Sequence, residues 1–291
     1  MFKFYFVLLG ELLLLPILYL KEFLKRYISI PERADKKRQT ANYNKLVVGI
    51  HDWAGYELKR TKTINNISFD CGLKFQLDRF ANYKGTKDIK LSLTISGEPD
   101  NNYDKYNGLN ITKVSNYGMD FRGYSQTIQN ESDQENCYVL LMNSSVEAKQ
   151  VDFIDQYIEF LENNPTVGLL GISYSSKIFQ TLIRNNFTPH IQSFFLITTL
   201  NVLKEVISHN KGEFPGQDII HKRLLIRFGE VRLSRIISDL GYQLAVITDQ
   251  GKPFIFPKTK GLLNTAYQQW KQPKGEYRFH TKHPNRINAI T

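Results

Sequence analysis

Cysteine is scarce in this chain: there are two among 291 residues, Cys71 and Cys137, far apart and each in an apolar context. Such a pair supplies neither a disulfide framework nor a zinc-ligand spacing, and reads as two buried thiols consistent with a reducing compartment. Proline (10) and glycine (18) are also modest, and no internal repeat or low-complexity tract occurs. With 42% apolar and 23% charged residues, this excludes a collagenous, disordered or multi-span membrane protein and leaves one large domain or two small ones. Glycine-rich phosphate loops are missing too. Neither GxGxxG nor GxxxxGK[ST] is present, which argues against a dinucleotide oxidoreductase or a P-loop enzyme, and there is no GxSxG nucleophile elbow.

Long hydrophobic runs are limited to one. Residues 4–20, FYFVLLGELLLLPILYL, form a 17-residue stretch broken by Gly10, Glu11 and Pro16, at the short limit for a bilayer span. Lys21, Glu22, Lys25 and Arg26 follow it without a small-x-small cleavage site, so the stretch reads as an uncleaved anchor rather than a secretory signal. Ile17, Leu20, Phe23, Leu24, Tyr27 and Ile28 recur at helical spacing, and the helix over 1–30 is expected either to span the membrane or to lie in its interface. A buried helix of the soluble body is the competing reading.

The formal net charge of +10 is terminal. Between residues 20 and 38 seven bases face three acids, and between 251 and 291 eight face one, while residues 39–250 hold 22 bases and 23 acids. Basic ends beside an apolar segment point to anionic lipid head groups and not to nucleic acid, and the positive flank predicts an inner-membrane protein with its body on the cytoplasmic side.

Beyond a basic linker over 31–44, apolar runs alternate with helical patterns, the signature of an α/β fold. Strands are predicted at 45–52, 89–96, 109–115, 137–142, 167–172, 193–199 and 242–248, and helices at 71–83, 117–129, 151–163, 200–208 and 229–240, the last capped by Gly241. The run CYVLLM at 137–142 is the most continuously apolar and is expected at the sheet centre. A basic extension occupies 251–291. Open sheets of this kind bind ligands beyond the carboxyl ends of their strands, which directs attention to His51, Asp52, residues 96–100, Ser115, Asn116 and residues 143–145.

Three segments in order, SNYGMDFRGYSQTIQN, CYVLLMNSSV and FGEVRLSRIISDLGYQL, resemble the nucleotide-sugar glycosyltransferases of the GT-A fold, nearest to family 2 rhamnosyltransferase-like enzymes and the rhamnan synthesis protein F group. The resemblance covers about residues 45–248 and implies a Rossmann-like mixed sheet flanked by helices. Asn116, Gly118 and Asp120 match an Asn-x-Gly-x-Asp element. Glu230, Leu233, Ser234, Gly241 and Tyr242 match a later acid, a Leu-Ser pair and a Gly-Tyr pair. Where relatives carry an acid at the end of the central strand, this chain has Asn143, Ser144 and Ser145.

The resemblance implies transfer of a sugar from a nucleoside-diphosphate donor to a glycan or polyprenyl-linked acceptor in surface polysaccharide assembly of the O-antigen or capsule type. An inverting transfer needs a base for the acceptor hydroxyl. Glu230, expected in the first turn of its helix and ionised there by the dipole, is the first candidate. Asp218, in the turn GEFPGQD, is the second. Asp52, Asn116, Asp120, Asn143, Ser144 and Ser145 are the expected donor contacts, and His190 and Gln192 the acceptor contacts; His51 is expected either at the ribose or without a role. Mg²⁺ or Mn²⁺ would normally neutralise the leaving diphosphate, but the neutral Asn-Ser-Ser sequence leaves the metal in question. Asp100 or Asp120 could supply a carboxylate, or Arg122, Lys222 and Arg223 could replace the ion. A non-catalytic assembly subunit of the same fold, or a peripheral protein acting through its basic ends, are the alternatives.

Overall fold

The computed structural model describes residues 2–20, 36–39, 41–64, 66–98, 100–175, 190–256 and 285–291. Most of the basic C-terminal extension, the first part of the basic linker, Pro189 and the amphipathic continuation over 21–30 lie outside the described residues.

The sheet is built by period-two sorting of apolar side chains. In β1 (Lys45–Trp53), Leu46, Val48 and Ile50 enter one core and Val47 the other. In β6 (Tyr138–Asn143), Tyr138, Leu140 and Met142 enter the first, and Val139 and Leu141 the second. A strand buried on both faces reads as a continuous apolar run, and β6 is buried at every position.

The remaining elements are β2 (Arg60–Ile64), β3 (Ile67–Cys71), α2 (Leu73–Ala81), β4 (Asp88–Ser96), β5 (Ile111–Val114), α3 (Asp120–Asn130), α4 (Ile154–Asn163), β7 (Val167–Gly171), β8 (Tyr174–Ser175), β9 (His190–Ile191), β10 (Phe195–Thr199), α5 (Leu200–His209), α6 (Lys222–Leu225), α7 (Arg232–Asp239), β11 (Gln243–Ile247) and β12 (Pro253–Ile255), after an N-terminal α1 (Phe2–Leu13). Eight strands form one sheet in the order β12-β11-β7-β10-β6-β1-β4-β5. Pairing is parallel at β6-β1, β1-β4, β4-β5 and β7-β11, and antiparallel where β10 lies between β6 and β7 and where β12 closes the edge. Residues of α2 and α4 cover one face and residues of α3, α5 and α7 the other. This is the mixed sheet flanked by helices that the resemblance implies.

Register decides what the strand ends bring together. His51 is opposite Thr94 on one side and Asn143 on the other, and Trp53 is opposite Ser96. Asp52, Ser96 and Asn143 therefore leave neighbouring parallel strands at the same carboxyl edge. Strands β2 and β3 form a separate hairpin, pairing Arg60 with Cys71 and Lys62 with Phe69. The hairpin is stitched to the loop after β6: Gly72 N–H donates to Ser144 O at 2.8 Å, and Ala148 N–H to Asp70 O at 2.7 Å. Gly72 has φ 132, and a Cβ there would lie 2.3 Å from the Leu58 carbonyl oxygen, so this approach requires glycine.

The N-terminal segment departs from the spanning form of the expected anchor. Among the described residues no helix is long and apolar enough to cross a membrane. Helix α1 ends at Leu13, Leu14 is a turn, and residues 15–20 are helical again. Pro16 supplies no N–H to the carbonyl four residues before it, which weakens the helix at that point. One side of α1 docks on the body. Phe4 is buried and stacks on His221 with ring centroids 4.8 Å apart, and Glu11 pairs with Arg227. The other side is bare: Tyr5, Phe6, Leu9, Leu12 and Leu13 are exposed, as are Leu14, Ile17, Tyr19 and Leu20 beyond it.

Two stretches outside 45–250 pack on the same body. Arg38 is buried, its Nε donating to Val167 O at 2.5 Å. In the tail, Ile287 enters the core and Arg286 pairs with Glu147.

Candidate active site

The site is assembled from the carboxyl edge outward. Asp52, at the end of β1, is 1% exposed. Its Oδ2 accepts from Tyr106 Oη at 2.8 Å, its Oδ1 accepts from Ser144 Oγ, and Arg60 Nη1 stands 3.8 Å from Oδ1. Burial raises its proton affinity, while the Ser144 and Tyr106 hydrogen bonds and the Arg60 cation oppose the rise. Both carboxylate oxygens are thus engaged by protein groups.

Asn143 closes β6. Its Nδ2 donates to Asp120 Oδ2 at 2.8 Å, and its Oδ1 accepts the Ser145 N–H at 3.0 Å. Asp120 opens α3. It is aimed by the preceding turn: Gly118 has φ 73, and a Cβ there would lie 2.1 Å from the carbonyl oxygen of Gln217. The Asn-x-Gly-x-Asp element and the GEFPGQD turn are therefore held in contact by a position that only glycine fits. Asn116 accepts from Ser96 Oγ at 3.2 Å and donates to Glu98 at 2.9 Å.

The hairpin adds cations that the sequence reading passed over. Arg60 Nη2 donates to Ser144 Oγ at 3.0 Å and to Ser145 Oγ at 3.2 Å, and Lys62 Nζ donates to Ser145 Oγ at 3.1 Å. The Arg60 guanidinium lies 3.9 Å from the Tyr56 ring centroid, a stacking that fixes its plane. The available signal was RTKTI, whose alternation puts both bases on one face of a strand.

Glu230 departs from expectation in its setting. The helix does not begin at Gly229. Helical structure runs unbroken from α6 through a π-helical turn, Ile226–Val231, into α7, so Glu230 lies inside the run and receives no first-turn dipole. Instead it is buried, and its Oε1 accepts from both the backbone N–H and the hydroxyl of Ser193, each at 3.0 Å. Burial pushes its pKa up to about 7; the Ser193 bonds pull downward and Asp120 pushes it further up. The same Asp120 raises the proton affinity of Lys62, which burial lowers most and the nearby Arg60 and Lys222 cations lower as well. Asp120 is thus within electrostatic reach of both the buried acid and the cationic hairpin. Widened π turns recur where a helix carries a functional side chain.

His190 Nε2 is 3.6 Å from Glu230 Oε2, and Tyr124 Oη donates to Ser193 O at 2.7 Å. Gln192 faces Ser173, whose hydroxyl donates to Gln192 Oε1, and the Gln192 N–H donates to Ser173 O at 3.0 Å. His51 is an interior position of β1, with Nδ1 3.1 Å from Thr94 Oγ1 and Nε2 3.1 Å from Ser96 Oγ. Burial lowers its pKa, and it is a satisfied structural histidine.

The structure therefore joins Asp52, Asp120, Asn143, Ser144 and Ser145 with Arg60 and Lys62, and joins Glu230 with His190. Asp218 stands apart, exposed and ion-paired to Arg122 at 3.2 Å. Asp100 and Lys222 are exposed, and the Arg223 side chain lies outside the described part. A cleft bounded by Arg79, Tyr83, Gln150 and Phe153 shares no residue with these groups.

A divalent ion fits this donor set poorly. Among the described residues no group of three or more His, Cys, Asp or Glu side chains is placed to hold a metal. Asp52 is engaged at both oxygens by Tyr106 and Ser144 and faces Arg60 at 3.8 Å, Asp120 is held by Asn143, and the serines face two cations. Such a set suits an anion.

No family model and no curated protein matches the sequence. Among solved structures, the chain is similar to a mannosyltransferase from Pyrobaculum calidifontis, in complex with GDP-Man and Mn²⁺, at 14% identity and a TM-score of 0.34. The match covers 83% of this chain and 65% of that one, so this chain spans just under two thirds of that structure's length.

Proposed function

We propose that the protein is a glycosyltransferase that moves a sugar from a nucleoside-diphosphate donor to a hydroxyl acceptor. One observation carries this reading: Asp120 is within electrostatic reach of both a buried carboxyl poised near neutrality, Glu230, and the cation Lys62, which shares the Ser145 hydroxyl with Arg60. A base with a pKa near the working pH is suited to removing a proton from an alcohol. Paired cations near that carboxylate suit a leaving diphosphate.

The chemistry that follows is a single displacement. Ionised Glu230 takes the acceptor hydroxyl proton as that oxygen bonds to the anomeric carbon. The bond from that carbon to the phosphate oxygen breaks, the nucleoside diphosphate leaves with its electron pair, and the sugar configuration inverts. His190, beside Glu230, and Gln192 are the acceptor contacts in this reading. Ser193 and Tyr124 act as positioning residues through Glu230.

The acceptor in this reading is a glycan or polyprenyl-linked glycan of a surface polysaccharide, met at the cytoplasmic face of a membrane. The bare apolar side of α1 and the basic residues on its flank support an interfacial seat there. The Glu11–Arg227 pair ties that helix to the π turn that carries Glu230. Incubation of the full chain with a panel of nucleotide sugars and lipid-linked acceptors tests the reading, with transfer expected from one donor class. Tight nucleotide binding without transfer from any donor would favour the non-catalytic assembly subunit.

A further inference from the structure

We propose that Arg60 and Lys62, with the Ser144 and Ser145 hydroxyls, form an anion site that holds the donor diphosphate through side chains alone, in place of a divalent metal. This rests on the glycosyltransferase reading for the identity of the anion, but the site itself stands on geometry.

The two bases reach one point from alternate positions of β2. Both donate to Ser145 Oγ, at 3.2 and 3.1 Å, and Arg60 also donates to Ser144 Oγ at 3.0 Å. A hydroxyl oxygen that accepts from two cations keeps its own proton to donate outward. Ser144 instead spends its proton on Asp52, which binds the cradle to the end of β1. Guanidinium, ammonium and hydroxyl donors converging on one point are the groups that recognise phosphate oxygens.

The charge balance also favours an anion. The Arg60 side chain is 12% exposed, and a cation so far removed from water calls for negative charge beside it. Burial most of all disfavours the charge on Lys62, and the nearby Arg60 and Lys222 cations add to that. Asp52 compensates Arg60 from 3.8 Å, and Asp120 is the other acid near Lys62. A diphosphate would relieve the remaining repulsion. A divalent cation at the same point would add to it.

The competing view is that the bases only fasten the hairpin to the loop after β6. Calorimetric titration of the full chain with UDP, GDP and inorganic pyrophosphate, once in EDTA and once with Mn²⁺, separates the two. At least one of these anions is expected to bind in EDTA with a Kd within about threefold of the Mn²⁺ value, a difference of under about 0.7 kcal/mol. Lys62→Gln and Arg60→Gln are each expected to weaken binding at least roughly tenfold, about 1.4 kcal/mol. Lys62→Gln should do so with its thermal midpoint unchanged, so that a folding defect in the Arg60 variant cannot decide the matter. Binding that requires Mn²⁺, binding that Lys62→Gln leaves intact, or no binding of any of the three anions would overturn the proposal. Metal-free binding with no sugar transfer from any donor would retain the site and sink the glycosyltransferase reading. Transfer that is lost in EDTA would do the reverse.

Discussion

Ser193 grips Glu230 twice, its backbone N–H and its hydroxyl both 3.0 Å from Oε1. This double donation stabilises the ionised carboxyl at a place where burial disfavours it, and the balance leaves the group near neutrality. The stability of the protein must therefore depend on pH through this residue. Relative to its ordinary 4.5, the folded-state pKa is raised to about 7. The folded state binds the proton more tightly than the unfolded state, so the stabilisation is full below pH 4.5 and is lost as pH rises through about 7. Glu230→Gln removes the dependence. Between pH 4.5 and 7.5 the wild type should lose about 3 kcal/mol relative to the variant, read from denaturant melts at each pH. A constant gap across that window would refute the raised pKa.

Ser193→Ala isolates the hydroxyl. The backbone donor remains, so the carboxyl keeps one bond and loses the other. A hydrogen bond to a charged group is worth roughly 1.5–3 kcal/mol, and one pKa unit is about 1.4 kcal/mol. The rising limb of the pH–rate profile should move about one unit to higher pH. An unmoved limb with a lowered rate would make Ser193 a packing residue only.

Much of this fold is legible in the sequence. Residues 45–52 and 137–142 are apolar at successive positions because both faces of β1 and β6 are covered, and the sequence reading places both as strands. Gly241 stops α7 as expected, with φ 97 and the Tyr242 N–H donating to Ile237 O at 3.1 Å. What was illegible is tertiary. The β2–β3 hairpin is polar at most positions, so no hydrophobic alternation marks it, and the Arg60–Ser144 contact spans 84 positions of chain. Glu230 was legible as an acid near Leu-Ser but not as a buried one, since FGEV reads as a helix start. Helical structure in fact extends back to Lys222, and the lack of a Ser, Thr, Asp or Asn cap before Glu230 was the one local sign against a start there.

Gly118→Ala should unfold the approach between the α3 start and the GEFPGQD turn. The left-handed φ alone costs an alanine more than about 1 kcal/mol. The 2.1 Å contact with the Gln217 carbonyl oxygen adds to that cost. Gly108 has φ 84 with nothing within 4 Å of an added Cβ, so Gly108→Ala measures the strain alone. The thermal midpoint should fall further for Gly118→Ala than for Gly108→Ala. Equal falls would show that the Gln217 contact carries no weight.

The exposed side of α1 makes its own prediction. Leu9 and Leu13 are 52% and 74% exposed, so Leu9→Glu with Leu13→Glu removes no core packing. If this side seats in lipid, each leucine loses roughly 1.5–3 kcal/mol of burial, and co-flotation with anionic vesicles should fall by more than tenfold. The melting midpoint without lipid should stay put. Equal flotation of the two proteins would remove α1 from the membrane contact.

Nucleotide release by the wild type and by Glu230→Gln is the most direct measurement, made over UDP-, GDP- and dTDP-sugars with glycan and polyprenyl-linked acceptors. General base catalysis contributes about 10²–10⁴-fold. The wild type should release nucleoside diphosphate from one donor class with matching sugar transfer, and the folded Glu230→Gln variant should do so about 10²–10⁴ times more slowly. Equal rates for the two proteins would contradict Glu230 as the base, and the absence of release from every donor by the folded wild type would contradict the glycosyltransferase account.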